Sequence, residues 1–430
     1  MLGAGRSLSF FYQRTMGSVF INGTGATNIS NPSVAENNSP VPEDRVYFRY
    51  NFFKDALSVV GDSGAMFFDP SLGLGSNGGP RFRGITTTKN YDFHEFTFGG
   101  EKTFCDGRCS VEVRVPFSNS LASDLNLSVA KITNRGADID NDSTESIVDT
   151  VSTPQNTLGT SDTEFGNMTV ILKGLAYQSS HLAISGGASI GIPTGRDTRV
   201  RVTDFLGDFS DNDIEILRAR DFHISNDTWS LSPFVAFLAT PTERFFAQGF
   251  LQFDFPLNES RIDYTEAAII NTEPGEVHFD SLLASDSIRE QTLMQVDLGT
   301  GYWLIKNRHD SWLTALAPTL ELHYTTTLDN ADLRVLPIAP KSGNLAVVGP
   351  GGAPIPEPNP IVGNQRGRVD ILDLTFGATF VIGDRLTVAN GFSFPLRSGD
   401  DRTFNWEYLL QINYYFGGPR NPERFAPPNL

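Results

Sequence analysis

The chain has 430 residues and a formal net charge of −17, and its charged fraction of 19% is below the usual quarter. No apolar run approaches the 18 residues of a membrane-spanning helix, so a helical membrane protein is excluded. The acidic balance also argues against nucleic acid and against anionic lipid surfaces as partners, because both are recognised through basic patches. The 33 phenylalanines and 40 glycines favour strands and their turns.

Residues 1–44 precede the first strand-like pattern and carry few apolar positions among Gly, Asn, Ser and Pro. We expect little regular structure here, apart from one short helix. This segment is predicted to be either a tail or a plug folded into the lumen of a barrel. It lacks the basic, apolar and small-residue order of a secretory signal. Export by the usual route would therefore require a signal that is not visible in this chain.

Alternation of apolar and polar residues with a period of two begins at Arg45 and recurs along the chain. It predicts twelve strands, at 45–53, 91–104, 110–117, 168–178, 181–192, 229–239, 245–257, 291–305, 311–325, 369–382, 385–396 and 405–416. Pro318 interrupts the ninth of them and is predicted to lie at a bulge or bend, since proline has no ladder donor.

The connections between these strands alternate between short and long. A soluble sandwich has no reason to sort its loops in this way, whereas an even strand number with one short side and one long side is typical of an outer-membrane barrel. We therefore predict an all-β fold, a single antiparallel up-and-down transmembrane β-barrel over 45–416 with short periplasmic turns and long extracellular loops. Both termini would then be periplasmic, and the tail at 417–430, rich in Pro and Asn, is predicted to be disordered.

The last predicted strand shows this pattern most fully, because one of its faces is an unbroken apolar and aromatic row. The row consists of Trp406, Tyr408, Leu410, Ile412, Tyr414 and Phe416. It is as long as a tilted transmembrane strand of roughly 9–11 residues, and it is aromatic at both ends, where membrane girdles lie. We predict that this row faces the lipid of the outer membrane.

If the apolar rows face lipid, the opposite faces of the strands line the lumen. The predicted lumen residues are Arg49, Glu112, Arg114, Lys173, Gln248, Gln252, Asp254, Gln295, Asp297, Glu321, His323, Asp373, Glu407, Gln411 and Asn413. Both signs of charge are present. A water-filled channel would use these side chains as its lining, whereas a closed barrel would pair them across the lumen as a polar core.

Two cysteines, Cys105 and Cys109, flank a tight turn between two strand-like runs. A pair of thiols is too few for a structural zinc site, which takes four ligands. A disulfide and two free thiols both remain open for this turn. No histidine or cysteine cluster predicts a metal site, and no cofactor is predicted.

Short motifs carry a resemblance to known barrels. Residues 42–48 (PEDRVYF) and 98–104 (FGGEKTF) resemble uncharacterised outer-membrane β-barrel proteins from planctomycete-type bacteria. Residues 172–173 (LK) and 190–195 (IGIPTG) are similar to the phenol meta-pathway transporter-like barrels, which are distantly akin to hydrophobic-substrate channels. The resemblance implies a channel or passive transporter for a small, hydrophobic solute. It also implies outer-membrane lipid and the barrel-assembly machinery as partners.

Two other functions compete with the channel. A structural or surface-display barrel without an open pore would pair its lumen charges with one another. An outer-membrane phospholipase would use a His and a Ser two positions apart, and His223 and Ser225 have that spacing. Such a pair also arises by chance in a chain with 6 His and many Ser, so we do not predict an enzyme.

Overall fold

The computed structural model of the protein describes most of the chain. The described residues are 8–14, 17–23, 33–69, 79–119, 124–129, 132–135, 148–151, 156–158, 163–209, 214–272, 275–306, 312–330, 332–336, 347–348, 354–355, 361–363 and 368–416. The predicted tail at 417–430 lies outside these residues. Within the described residues, no helix is long and apolar enough to cross a membrane.

Twelve strands form the body of the molecule, and we number them β1 to β12 in chain order. They are β1 Arg45–Asp69, β2 Gly79–Phe104, β3 Cys109–Asn119, β4 Met168–Gln178, β5 Leu182–Ile192, β6 Ser230–Ala239, β7 Phe245–Pro256, β8 Leu293–Tyr302, β9 Leu313–Thr327, β10 Asp370–Ile382, β11 Leu386–Pro395 and β12 Trp406–Tyr415.

Each strand pairs antiparallel with the next strand in the chain, from β1 to β12. The register then closes on itself, because β12 pairs antiparallel with β1, from Trp406 opposite Lys54 to Tyr415 opposite Arg45. The sheet therefore has no open edge within the barrel. The predicted up-and-down barrel of twelve strands is confirmed, and the soluble sandwich is excluded.

Pro318 lies in β9, in regular register with Ala378 of β10. On its other side it faces an interruption, because β9 pairs with β8 as far as Thr319 opposite Gly301 and resumes with a short strand, Ile305–Lys306, opposite Leu316. The predicted irregularity therefore lies in the neighbouring strand. The bulge in β9 itself falls earlier, between Leu313 and Ala315.

The short turns lie at one end of the barrel and the long connections at the other. Two long connections build a second antiparallel sheet from Thr198–Phe209, Ile214–Ile224, Ser260–Thr272 and Gly275–Ile288. A strand from a third connection, Asp124–Val129, joins this sheet in parallel with the first of the four. The long-loop end is thus folded, with buried side chains such as Phe222 and Tyr264 in its core, where their ring centroids are 4.8 Å apart.

The N-terminal segment differs from the prediction of little regular structure and one short helix. Leu8–Arg14 and Gly17–Gly23 form an antiparallel hairpin. Its second strand continues the barrel sheet by pairing with 57–63 of β1, at the long-loop end. This part of the N-terminal segment is therefore beside the long loops, which corrects the expectation that these residues lie at the short-turn end.

Aromatic rings cover the outer surface where β1, β11 and β12 meet. Trp406 lies 5.2 Å from Phe52 between ring centroids, and Tyr408 lies at the same distance from Phe392. Exposed apolar side chains continue this surface around the barrel on every strand pair, among them Phe98, Leu172, Val235, Leu298 and Phe376. A closed barrel with a continuous apolar and aromatic exterior is the arrangement of an outer-membrane protein.

Candidate functional site

The lumen of the barrel is occupied by residues 33–44, which we call the lumen segment. Residues 33–43 are buried, and two turn-like hydrogen bonds, Glu36 N to Ser33 O and Asn38 N to Ala35 O, hold their backbone compact. Asn37 takes a positive φ of 48°, a conformation that asparagine tolerates better than most residues. The lumen segment then runs directly into β1 at Arg45.

Part of the lumen segment packs on apolar wall residues. Val34 and Ala35 form a buried cluster with Ile171, Phe234 and Phe250 of β4, β6 and β7. Further along, Val41 packs on Ala183 and Leu238 of β5 and β6. These contacts fix one side of the lumen segment against the wall.

Arg49 of β1 anchors the opposite side of the lumen segment. Its guanidinium lies 2.7 Å from a Glu36 carboxylate oxygen, and it also contacts Glu95 of β2. The Asn51 amide donates a hydrogen bond of 2.7 Å to the other oxygen of Glu36. Because all four side chains are buried, this ion pair lies away from bulk water and is screened little by salt.

Two more wall cations hold the backbone of the lumen segment. Arg114 donates to the carbonyl oxygens of Ser33 and Val34 at 2.9 and 3.1 Å. Lys173 donates to the Ser39 carbonyl and to the Asn38 side chain, both at 2.8 Å, and its ammonium lies 2.8 Å from a carboxylate oxygen of Glu101. The lumen segment therefore rests on a cationic face made by β1, β3 and β4.

Tyr47 and Gly99 complete this face. The Tyr47 hydroxyl donates a hydrogen bond of 2.6 Å to Glu112, which also accepts one of 2.7 Å from Arg114. The Tyr47 ring passes directly over Gly99, where an added Cβ would lie 2.2 Å from the ring. Glycine at this position is what permits the ring to lie flat along the wall and reach Glu112.

The facing wall, from β7 to β9, binds the start of the lumen segment through neutral and acidic groups. The Val34 N–H donates to Gln252 at 2.6 Å, and the Ser33 hydroxyl donates to Asp297 at 3.0 Å. Asp297 also lies 2.7 Å from the His323 ring. Next to it, the Gln295 amide donates a hydrogen bond of 2.7 Å to Asp254.

Asp373 of β10 and Glu407 of β12 continue this acidic wall. Their exposed fractions are 1% and 0%, and neither carboxylate has a hydrogen-bond partner among the residues that the structure describes. Burying a charged carboxylate without a partner is costly, so these two groups define the least satisfied part of the lumen.

A cavity of about 150 Å³ lies below the lumen segment, at the short-turn end of the barrel. Asn37, Asn38 and Ser39 form its roof, while Asp384 and Arg385 of the last short turn lie at its mouth. One wall is apolar and includes Phe246 and Trp303, whose ring centroids are 5.6 Å apart. We call this cavity the vestibule.

The predicted lumen residues all lie on the inner side of the wall. Every one of them is buried except Gln248, which is half-buried and lines the vestibule. They do not form one continuous lining, because the lumen segment divides them into the cationic face and the acidic wall.

Sequence reasoning missed half of the partners in these contacts. The missed charged residues are Glu36, Glu43, Arg45, Glu95 and Glu101. Arg45 could have been found, because it alternates with Val46 at the start of β1. Glu95 and Glu101 were hidden by Phe93, which points inward to Phe53 in a buried aromatic contact and so breaks the alternation of β2.

The row predicted to face lipid lies on the outer side of β12. From Trp406 to Ile412 its members are half-buried by their neighbours, Tyr414 and Phe416 are exposed, and the alternate residues are buried inside. Cys105 and Cys109 are free thiols in the structure. His223 lies in the second sheet, where its ring contacts Asp197 at 3.1 Å.

Comparison with solved structures finds outer-membrane barrels at low similarity. The deltaS2 mutant of the TodX monoaromatic hydrocarbon channel is 9% identical with a TM-score of 0.33, and the match covers 91% of this chain and 94% of that chain. The deltaS2S3 mutant of TodX is 11% identical with a TM-score of 0.31, covering 90% and 92%. A bacterial polysaccharide outer membrane secretin is 10% identical with a TM-score of 0.24, covering 88% and 100%.

No protein-family model and no curated protein sequence matches the chain. Its class, a closed twelve-strand barrel of the outer-membrane type, is defined by its own strand pairing and apolar exterior. The resemblance to proteins of planctomycete-type bacteria stays a prediction.

Proposed function

We propose that the protein is a passive outer-membrane channel for a small solute, and that the lumen segment closes it in the conformation described here. The observation that carries the proposal is how the lumen segment is held. Residues 33–44 contact the wall through side chains and isolated hydrogen bonds, and they contribute no strand to the barrel sheet. Residues 33–43 can therefore leave the wall without breaking a ladder hydrogen bond of the barrel, while Asp44, whose carbonyl oxygen accepts a hydrogen bond of 3.0 Å from the Phe416 N–H, stays at the start of β1.

The vestibule supports the choice of a small solute. Its volume of about 150 Å³ suits a compound of few heavy atoms, and its wall combines apolar side chains such as Leu238 and Trp303 with polar ones such as Gln248. Ligand sites are usually built in this way, with an apolar lining and a few polar groups that orient the ligand. A hydrophobic portion in the solute, as the motif resemblance implies, fits the apolar wall.

In this proposal the short-turn end faces the periplasm and the second sheet lies outside the cell. The C-terminal end of β12 is then periplasmic, while the hairpin at Leu8–Arg14 and Gly17–Gly23 is on the outer side with the long loops. The lumen segment would thread the barrel between them. Outer-membrane lipid and the barrel-assembly machinery are the partners that such a barrel requires.

Removing the lumen segment tests the proposal. In planar bilayers, the wild-type protein is expected to open rarely, and a variant that lacks residues 1–40 is expected to conduct steadily, because the wall no longer has an occupant. A variant that lacks residues 1–32 is the matched control, since it loses the hairpin but keeps residues 33–44. It should remain as closed as the wild type.

The mutual pairing of lumen charges, such as Arg49 with Glu36, favours a second candidate, a structural barrel without an open pore. That candidate predicts a wild type that never opens, even over long recordings, although the variant lacking residues 1–40 conducts. If neither the wild type nor the variant lacking residues 1–40 conducts, although both fold as barrels, the channel proposal is contradicted as well.

A further inference from the structure

The charges of the lumen wall are unequal in number and are separated in space. In the described parts of the twelve barrel strands, eight buried carboxylates face four buried Arg and Lys side chains. The four cations, Arg45, Arg49, Arg114 and Lys173, all lie on β1, β3 and β4. The strands from β7 to β12 carry buried carboxylates, and His323 is the single buried basic side chain in their described residues.

Each of the four cations already contacts a carboxylate of the wall. Arg45 contacts Glu101 at 3.0 Å, Arg114 contacts Glu112 at 2.7 Å, and Lys173 contacts Glu101 at 2.8 Å. Arg49 contacts Glu95 in the wall as well as Glu36 in the lumen segment. When the lumen segment leaves, each cation therefore keeps a carboxylate partner in the wall, and the cationic face is close to neutral.

Two carboxylates of the acidic wall have no such compensation. Asp373 and Glu407 are buried without a hydrogen-bond partner among the described residues, and so is the Thr375 hydroxyl between them. Thr375 is in register with Ser393, which is in register with Glu407, so the three unsatisfied groups follow one path across β10, β11 and β12. Buried polar groups normally have hydrogen-bond partners. Three neighbouring groups without one, including a neutral hydroxyl, therefore indicate a surface that contacts something other than the wall itself.

We propose that this acidic wall makes the open lumen selective for cations, an inference that rests on the channel function above. Carboxylates in a narrow passage with low-dielectric walls concentrate cations and repel anions. Within the described residues, no group of His, Cys, Asp and Glu has the arrangement of a metal site. In this proposal the acidic wall acts on ions in transit, and the solute of the channel belongs to the class of small cations, including amines with an apolar portion.

Reversal potentials in a potassium chloride gradient test this inference, measured on the variant that lacks residues 1–40. We expect a potassium-to-chloride permeability ratio of about ten, the lower end of the enrichment that charged clefts produce. Adding Asp373→Asn and Glu407→Gln should lower the ratio toward one while the conductance persists. Asp106→Asn, in an exposed short turn, is the matched control and should leave the ratio unchanged.

The outcomes separate the two proposals. Steady conductance with a ratio near one, or with preference for chloride, overturns the cation selectivity and leaves the channel standing. An unchanged ratio in the double variant also overturns the assignment to the acidic wall. Absence of conductance in protein that migrates as a folded barrel overturns the channel and the selectivity together.

Discussion

Replacing Arg49 by methionine is expected to open the closed barrel. The substitution keeps much of the side-chain volume but removes the guanidinium that lies 2.7 Å from Glu36 and also contacts Glu95, so two buried carboxylates lose this cation. Removing one partner of a buried ion pair costs about 3–5 kcal/mol. The closed state bears this cost, because Glu36 returns to water as soon as the lumen segment leaves.

The expected change in the ratio of open to closed protein depends on which state loses the ion pair. The departure of residues 33–43 breaks no ladder hydrogen bond of the barrel sheet, so the loss shifts the equilibrium between closed and open states and does not unfold the barrel. A change of 3 kcal/mol corresponds to roughly a hundredfold increase in the ratio of open to closed protein. Single-channel recording measures this ratio directly as the open fraction.

Two comparisons make the result specific to Arg49. Lys54→Met removes another cation from β1, but Lys54 is partly exposed and its pair with Asp92 is of the surface type, which contributes little to stability. It should leave the open fraction unchanged. Combining Arg49→Met with Glu36→Gln removes the stranded charge on the lumen segment and should restore part of the closure. An open fraction equal to that of the wild type in Arg49→Met would contradict a closing role for the lumen segment.

The barrel could be predicted because most of the barrel strands repeat one simple rule. Lipid on one side of the wall and polar groups on the other impose a period of two. The alternation in β12 and in the first residues of β1 therefore predicts which of their side chains face outward. The alternation of short and long connections then gave the topology. The observed strands differ from the predicted ones mainly in length, since β1 and β2 continue toward the long-loop end as a paired extension of 57–69 and 79–91.

The position of the lumen segment could not be predicted in the same way. Residues 33–44 have no period, and their contacts join positions far apart in the chain, such as Ser33 with Asp297 and Asn37 with Asn413. No pattern in the local sequence predicts those contacts. A plug was one of two alternatives for residues 1–44, and the sequence offered no means of choosing between them.

The N-terminal hairpin was missed although a local signal existed. The stretch at 8–14 holds three aromatic residues, the stretch at 17–23 holds Val19, Phe20 and Ile21, and two residues separate the stretches. That spacing is typical of a β-hairpin. The surrounding Gly, Asn and Ser favour irregular structure, so the composition of residues 1–44 as a whole masks this local signal.

Arginine at position 410 is expected to destabilise the barrel in lipid. Leu410 lies in the middle of β12, where it is in register with Tyr50 and Asn390, and its side chain points outward between the aromatic ends of the row. A charged residue on the lipid face costs about 2–4 kcal/mol at the membrane midplane. The free energy of unfolding, measured by denaturant titration in lipid vesicles, should fall by this amount.

Tyr414→Arg is the matched control, because it places the same charge on the same face near the end of the strand. Tyr414 is 44% exposed, and an arginine near the membrane interface costs about 0–1 kcal/mol. The two variants should therefore differ by roughly 2 kcal/mol or more, a dependence on depth that only a hydrocarbon layer produces. A surface in contact with water would tolerate both substitutions equally, and equal stability of the two variants would contradict the assignment of this face to lipid.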